Sequence, residues 1–235
     1  MAENEKELEE FKRQAAEAAV DLVRSGMVVG LGHGSTAIFA VKKLANKLNT
    51  GELERIIGIP CSHMIKDAAM ELGIPLSTLG EHPAIDITID GADEVDPELN
   101  LIKGGGGALL MEKRVARASA REIIVVDESK MSPKLGSQFA LPVEVAEIGW
   151  ETAAEFIERL GTKAALRMAE GEPFSTDSGN LILDCDFGPI DNPGELDATL
   201  LGIDGVIDHG LFLGLATDVI AAGPAGLTHL RREES

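Results

Sequence analysis

The chain has 235 residues, enough for one large α/β domain or for a domain with a smaller one inside it. It carries 40 acids against 21 bases, a formal charge of -19, and only 3% aromatic residues with no tyrosine. A field of that sign repels nucleic acid and anionic membrane, and so few rings offer no stacking platform for single strands or extended sugars.

The acid excess reads either as a well-solvated surface or as adaptation to a salty cytoplasm, since it exceeds what solubility asks of a small domain. No stretch approaches the roughly 20 apolar residues of a membrane span. The opening Met-Ala-Glu-Asn-Glu-Lys lacks the basic start and apolar core of a secretory signal. Cys61 and Cys185 lie far apart without metal-type spacing, which fits a reducing cytoplasm. The five histidines form no H-x-H or HExxH pattern, so no dedicated metal site is expected.

Leu8, Phe11, Ala15, Ala18 and Leu22 fall on one stripe of a first helix. Met27-Val-Val-Gly30 reads as a buried strand running into the turn Gly30-Leu-Gly-His-Gly-Ser-Thr36. A helix follows, with Ile38, Val41, Leu44 and Leu48 facing inward. Residues 55–59 make a second strand ended by Pro60, and a helix runs from about 62 to 72. Strands are expected at 74–79 and 85–90, a helix at 108–119 and a buried strand at 122–127. This alternation predicts a Rossmann-like, mostly parallel sheet with helices on both faces.

From about residue 138 the pattern changes. A strand (138–145), a helix (152–160), two strands (163–169 and 181–187), a helix (193–201) and a strand (203–207) follow in turn. Asn192-Pro193 supplies a cap and a first-turn proline for the second of these helices. The β-α-β-β-α-β order predicts an inserted ferredoxin-like α+β domain. Asp218-Val-Ile-Ala-Ala222 then returns to the parallel sheet. The expected division is a catalytic α/β domain of residues 1–137 and 208–235, with residues 138–207 inserted.

Three segments carry chemistry. The turn of residues 30–36 lies between a strand and a helix, where backbone N–H groups and the helix dipole favour a phosphate or carboxylate. It is neither the G-x-G-x-x-G fingerprint nor a Walker A loop, and Pro60-Cys61-Ser62 stand where a dinucleotide site needs an acid. The plainer alternative is a tight turn whose Ser35 caps a helix.

The second segment holds Asp90, Asp93, Glu94 and Asp96. It reads as carboxylates placed to move protons, as a solvated acidic loop or as a casual divalent-cation site; the regular spacing of a calcium loop is missing. The third is Lys103 followed by Gly104 to Gly107 and then Glu112. Four glycines cost a connector much backbone entropy, so close approach of backbone to a ligand is the better reason for them. Glu112 borders the apolar stripe Ala108, Met111, Val115 and Ala118 and suits a general base; taken alone it is an exposed partner for Lys113 or Arg117.

Over nearly its whole length the chain resembles the A-type ribose-5-phosphate isomerases. The residues that carry the resemblance are Gly32-His-Gly-Ser-Thr-Ala37, Asp90-Gly-Ala-Asp-Glu94, Lys103-Gly-Gly-Gly-Gly-Ala-Leu-Leu-Met-Glu-Lys113, Asp127-Glu-Ser-Lys130, Leu141-Pro-Val-Glu-Val145 and Gly210-Leu-Phe212. The resemblance implies reversible conversion of D-ribose 5-phosphate to D-ribulose 5-phosphate without a redox cofactor. It implies Glu112 as the base, Lys103 with Gly104, Gly105 and Gly106 as oxyanion binders, and Asp90 and Asp93 on the sugar hydroxyls. Phosphate or sugar contacts are implied for His33, Gly34, Ser35, Thr36, Gly91, Ala92, Lys130 and Lys12. Two positions depart from the pattern: His33 stands where the family usually has Thr, and Cys61 where Thr or Ser is common. The partners expected are a small sugar phosphate and further copies of the chain, as a homodimer or homotetramer, in the cytoplasm. Rival readings are another sugar-phosphate enzyme on this scaffold, a CoA transferase, or a non-catalytic sugar-phosphate sensor.

Overall fold

The structure is a computed structural model that describes residues 2–233. In chain order its elements are α1 (Ala2–Val20), β1 (Val28–Leu31), α2 (Ala37–Thr50), β2 (Ile57–Pro60), α3 (His63–Glu71), β3 (Ile87–Asp90), β4 (Glu94–Val95), β5 (Leu101–Ile102), α4 (Leu109–Ala118) and β6 (Glu122–Asp127). A 3₁₀ turn, Glu128–Lys130, comes next. After it stand β7 (Leu141–Val145), α5 (Trp150–Glu158), β8 (Ala164–Leu166), β9 (Met168–Ala169), β10 (Glu172–Pro173), β11 (Leu181–Cys185), α6 (Pro193–Leu201), β12 (Val206–His209), β13 (Leu211–Phe212), β14 (Asp218–Gly223) and β15 (Gly226–Arg231). The chain divides into two compact units, one of residues 1–92, 111–130 and 214–235, the other of residues 93–110 and 131–213.

The first unit is built on a six-stranded sheet in the order β15-β14-β6-β3-β1-β2. Every neighbouring pair is parallel except β14 with β15, which form a hairpin. The strands are short apolar runs because both of their faces are covered. Val29, Leu31, Ile87, Ile89 and Val125 join α1, α2 and α3 in one core, while Ile59 and Ile85 pack with Val115 of α4 in another. Ser62 caps α3 by accepting from the Ile65 N–H at 3.3 Å.

The second unit holds a four-stranded antiparallel sheet, β12-β7-β11-β8, with α5 and α6 between its strands in sequence. That is the ferredoxin-like arrangement expected from the element order. Val143, Val145, Ile157, Leu183, Cys185 and Leu200 make its core, and Trp150, the first residue of α5, packs half-buried against it. A small three-stranded sheet, β13-β5-β4, and the β9–β10 hairpin complete it.

The Rossmann-like parallel sheet and the ferredoxin-like unit are therefore both present. Three local differences have physical causes. No strand forms at 74–79: Pro75 has no N–H, and the segment makes one bridge, Leu76 beside Gly58, flanked by Gly58 N–H to Pro75 O at 2.8 Å and Ser77 N–H to Gly58 O at 3.0 Å. The expected strand 163–169 stops at Leu166, and a hairpin follows after Arg167. β15 was not expected, because its mostly exposed residues carry no burial pattern.

Candidate active site

In the first unit the site residues gather where β1 and β3 end. Leu31 lies beside Ile89 in the parallel register, so the turn after β1 starts next to Asp90. A Cβ on Gly30 would stand 1.9 Å from Thr88 Oγ1, and one on Gly32 2.3 Å from Asp90 Oδ1. Only glycine lets the strands run this close. Asp90 is fully buried, and its Oδ1 accepts the N–H of His33 at 2.9 Å and of Gly91 at 2.7 Å. Two backbone donors on one oxygen fix the direction of the carboxylate. Gly91 and Ala92 follow, half-buried.

Gly34 turns the chain at φ +106°, a left-handed value suited to glycine. Thr36 occupies the cap position of α2 but gives the first turn no side-chain bond. Ser35 does not cap the helix either; its hydroxyl accepts from Lys12 Nζ of α1 at 3.2 Å. A cation from α1 thus meets the glycine-rich turn, as an anion site needs. The His33 ring uses Nδ1 to bond Ser62 Oγ at 2.8 Å, tying the β1–α2 turn to the start of α3.

Glu112 stands in the first turn of α4, the end of a helix where its dipole favours a negative charge. It is 4% exposed and Lys113 1%, so the alternative of an exposed ion pair falls. Lys130 closes the 3₁₀ turn after β6, which runs parallel beside β3. Asp127 steadies that turn by accepting the Ser129 N–H at 3.1 Å.

In the second unit Asp93, Lys103 and the glycine loop are set by short backbone pairings. The Asp93 N–H donates to Ile102 O and the Lys103 N–H to Gly210 O, each at 2.9 Å. Lys103 is 2% exposed, with Nζ 5.5 Å from the centre of the Phe212 ring. Asp93 Oδ2 accepts the Gly105 N–H at 2.8 Å. The other acids of the run serve the backbone. Glu94, buried, accepts from the N–H groups of Gly136, Ser137 and Gln138 at 2.9, 3.1 and 3.2 Å, and Asp96 closes a turn on Glu98 and Asn100. Neither the solvated-loop reading nor the casual cation site describes them.

Residues 57–226 match the family model for ribose 5-phosphate isomerase A (phosphoriboisomerase A). The chain is 56% identical to the ribose-5-phosphate isomerase A of Chloroflexus aurantiacus, over 93% of its own length and 92% of that protein's. Among solved structures, a D-ribose-5-phosphate isomerase in complex with phospho-erythronic acid superposes with a TM-score of 0.94 at 41% identity, covering 96% of this chain and 99% of that one. The enzyme of Plasmodium falciparum gives the same TM-score at 39% identity, covering 96% and 100%. The chain belongs to the ribose 5-phosphate isomerase A family.

It is an aldose–ketose isomerase that interconverts D-ribose 5-phosphate and D-ribulose 5-phosphate. The sensor, the CoA transferase and the other sugar-phosphate enzymes are thereby set aside. No helix among the described residues is long and apolar enough to cross a membrane. Such an isomerase has to move one proton between neighbouring carbons while an oxygen carries negative charge. The first unit of the enzyme holds Asp90, Glu112, Lys130 and the residues around His33, Gly34, Ser35 and Thr36; the second holds Asp93, Lys103, Gly104, Gly105 and Gly106. Sequence reasoning gave no role to Ser62 beyond a motif neighbour, and none at all to Arg167, whose Nη1 donates to Gly104 O at 2.8 Å. Arg167 sits inside an expected strand, 63 residues from its glycine partner, with no motif around it.

Proposed function

We propose that Glu112 is the base that carries the proton between C2 and C1 in this isomerisation. It takes the C2 proton of the open-chain aldose and returns it to C1, leaving an enediolate in between. Lys103 and the amides of the Gly104–Gly106 loop hold the negative oxygen as it develops, the term that usually carries most of the acceleration. Asp90 and Asp93 assist ring opening and pass the proton between O1 and O2. Lys130, with Ser35 and Thr36 at the start of α2 and Lys12 behind them, grips the phosphate, while His33, Gly34, Gly91 and Ala92 bound the sugar. Binding energy from the remote phosphate then orients the reacting carbons. Aldose and ketose are isomers, so the proton shuttle consumes no redox equivalent.

The observation that supports this most is the burial of Glu112 in the first turn of the helix that follows the lysine–glycine loop. The phospho-erythronic acid held by the related enzyme is chemically apt, since its carboxylate imitates the two oxygens of an enediolate. Glu112→Gln keeps the shape and removes the base. Turnover should fall by at least ~10²–10⁴-fold, the usual contribution of general-base catalysis, with ligand affinity little changed. In D₂O the wild type should form ketose with deuterium entering C1, and the Gln variant should do neither at a comparable rate. Isomerisation within a few-fold of wild type would pass the role to an aspartate.

We also propose a homodimer or homotetramer in the cytoplasm. Ile148, Phe156, Leu160, Leu201 and Ile207, all of the second unit, are exposed large apolar side chains that association would cover. Cys61 and Cys185 are buried without forming a disulfide, and burial pushes the Cys185 thiol up to about 12, which keeps it protonated. Light scattering on the eluting protein should return two or four chain masses; a monomer at micromolar concentration would overturn the assembly.

A further inference from the structure

Four consecutive glycines should sample many backbone conformations, and Gly105 and Gly106 stand exposed at the tip of the loop. The loop is nonetheless pinned. The peptide joining Gly104 to Gly105 is held at both ends: its N–H donates to Asp93 Oδ2 at 2.8 Å, and its carbonyl accepts Arg167 Nη1 at 2.8 Å. The same Nη1 reaches the next carbonyl, Gly105 O, at 3.1 Å. Gly107 N–H closes the loop onto Gly104 O at 3.0 Å. Phe174 blocks movement at the far end, since a Cβ on Gly107 would lie 2.4 Å from its ring.

Arg167 is itself fixed. Its Nε donates to Asp184 Oδ2 at 3.0 Å and its Nη2 to Oδ1 of the same carboxylate, a two-point grip that sets the plane of the guanidinium. The group lies 5.9 Å from the centre of the Phe174 ring, and the side chain is 14% exposed. A surface ion pair needs no such fork, and a simple loop anchor needs one carbonyl rather than two.

From this geometry we infer that Arg167, aligned by Asp184, is a positioning residue that aims the Gly106 N–H at the enediolate oxygen. The inference rests on reading the glycine loop as the oxyanion binder. In a trans peptide the carbonyl and the N–H point in opposite directions. With Gly105 O drawn to Arg167, the Gly106 N–H is turned away from the guanidinium, between neighbours whose own N–H groups serve Asp93 and Gly104 O. The cation on the carbonyl also polarises that peptide, which makes its N–H a stronger donor. Preorganised donors of this kind cost no reorganisation at the moment of reaction.

The test compares Arg167→Met, which keeps length but loses charge and donors, with Arg167→Lys, which keeps charge but loses the fork. The readouts are kcat, KM and the preference for phospho-erythronate over the uncharged-headed alditol, erythritol 4-phosphate. Arg167→Met should lose roughly 10²-fold in kcat, the cost of one oxyanion donor, with KM within about three-fold of wild type. Its preference for the carboxylate over the alditol should fall in parallel, which a merely structural role would not move. Arg167→Lys should lose about ten-fold in both, since one donor remains without its plane, and it decides alone if the Met variant does not fold. A folded variant with kcat and preference within about three-fold of wild type overturns the inference. If the wild type itself shows no preference for the carboxylate, the oxyanion reading of the loop fails first, whatever Arg167 does.

Discussion

The two units fix the groups proposed to act on the substrate by different means. In the first, Asp90 is aimed by the sheet: parallel register brings Leu31 beside Ile89, and glycines at 30 and 32 let the strands close until backbone amides meet the carboxylate. In the second, the pairings are two residues long, and side chains do the holding: Asp93 on Gly105, Arg167 on Gly104 and Gly105, Glu94 on residues 136–138. A sheet-aimed group has no single brace to remove but tolerates no added atom. A side-chain-braced loop tolerates additions at its open tip and fails when one brace is cut.

Gly32→Ala attacks the first unit where that contrast is sharpest. The new Cβ would overlap Asp90, and a displacement of about 1 Å in such a group can cost roughly 10²-fold in kcat/KM. The same overpacking should cost about 1–3 kcal/mol, read from urea unfolding. If the variant keeps wild-type activity, the sheet is more yielding than its register implies. Glu94→Gln cuts a brace in the second unit. An amide oxygen cannot serve three N–H donors as a carboxylate does, so stability should fall by about 1.5–3 kcal/mol, with amides 136–138 exchanging faster. Unchanged exchange there would show that the loop of residues 136–138 holds itself.

The smallest effect concerns the opposite end of the parallel strands. Burial works against ionising Asp218, but bonds from Thr217, Arg121 and His229 outweigh it and hold the carboxyl below its ordinary value. A depressed acid contributes stability that is complete above the unfolded pKa of about 3.9 and is lost as the pH falls through the folded one. Asp218→Asn should therefore melt below wild type at pH 6, and the gap should narrow steadily as the pH falls below that unfolded value. A gap that stays constant would make the loss one of packing rather than of charge.

The same contrast governs what the sequence makes legible. Buried strands such as Glu122–Asp127 are apolar runs punctuated by turns, so the parallel sheet and the place of Asp90 at the end of β3 follow from pattern alone. The ferredoxin-like order is readable for the same reason, down to the proline that opens α6. Two-residue strands have no period, which hides the β13-β5-β4 sheet that sets Lys103. Exposed β15 has no apolar face to announce it. Arg167 is hidden by distance, because the carbonyls it binds carry no sequence identity of their own. His33 is half-readable: its departure from the family residue is plain, while its bond to Ser62 requires two turns to be brought together.

Trp150 gives the division of the chain a spectroscopic side. It is the sole tryptophan, there is no tyrosine, and it packs on the core of the second unit. Intrinsic emission excited near 295 nm, a wavelength selective for indole, therefore reads that unit alone, and phenylalanines leave the parallel sheet dark. Circular dichroism in the far ultraviolet follows the backbone of both. Where the two signals part during unfolding, the parallel sheet and the ferredoxin-like unit are melting separately, without any label being attached.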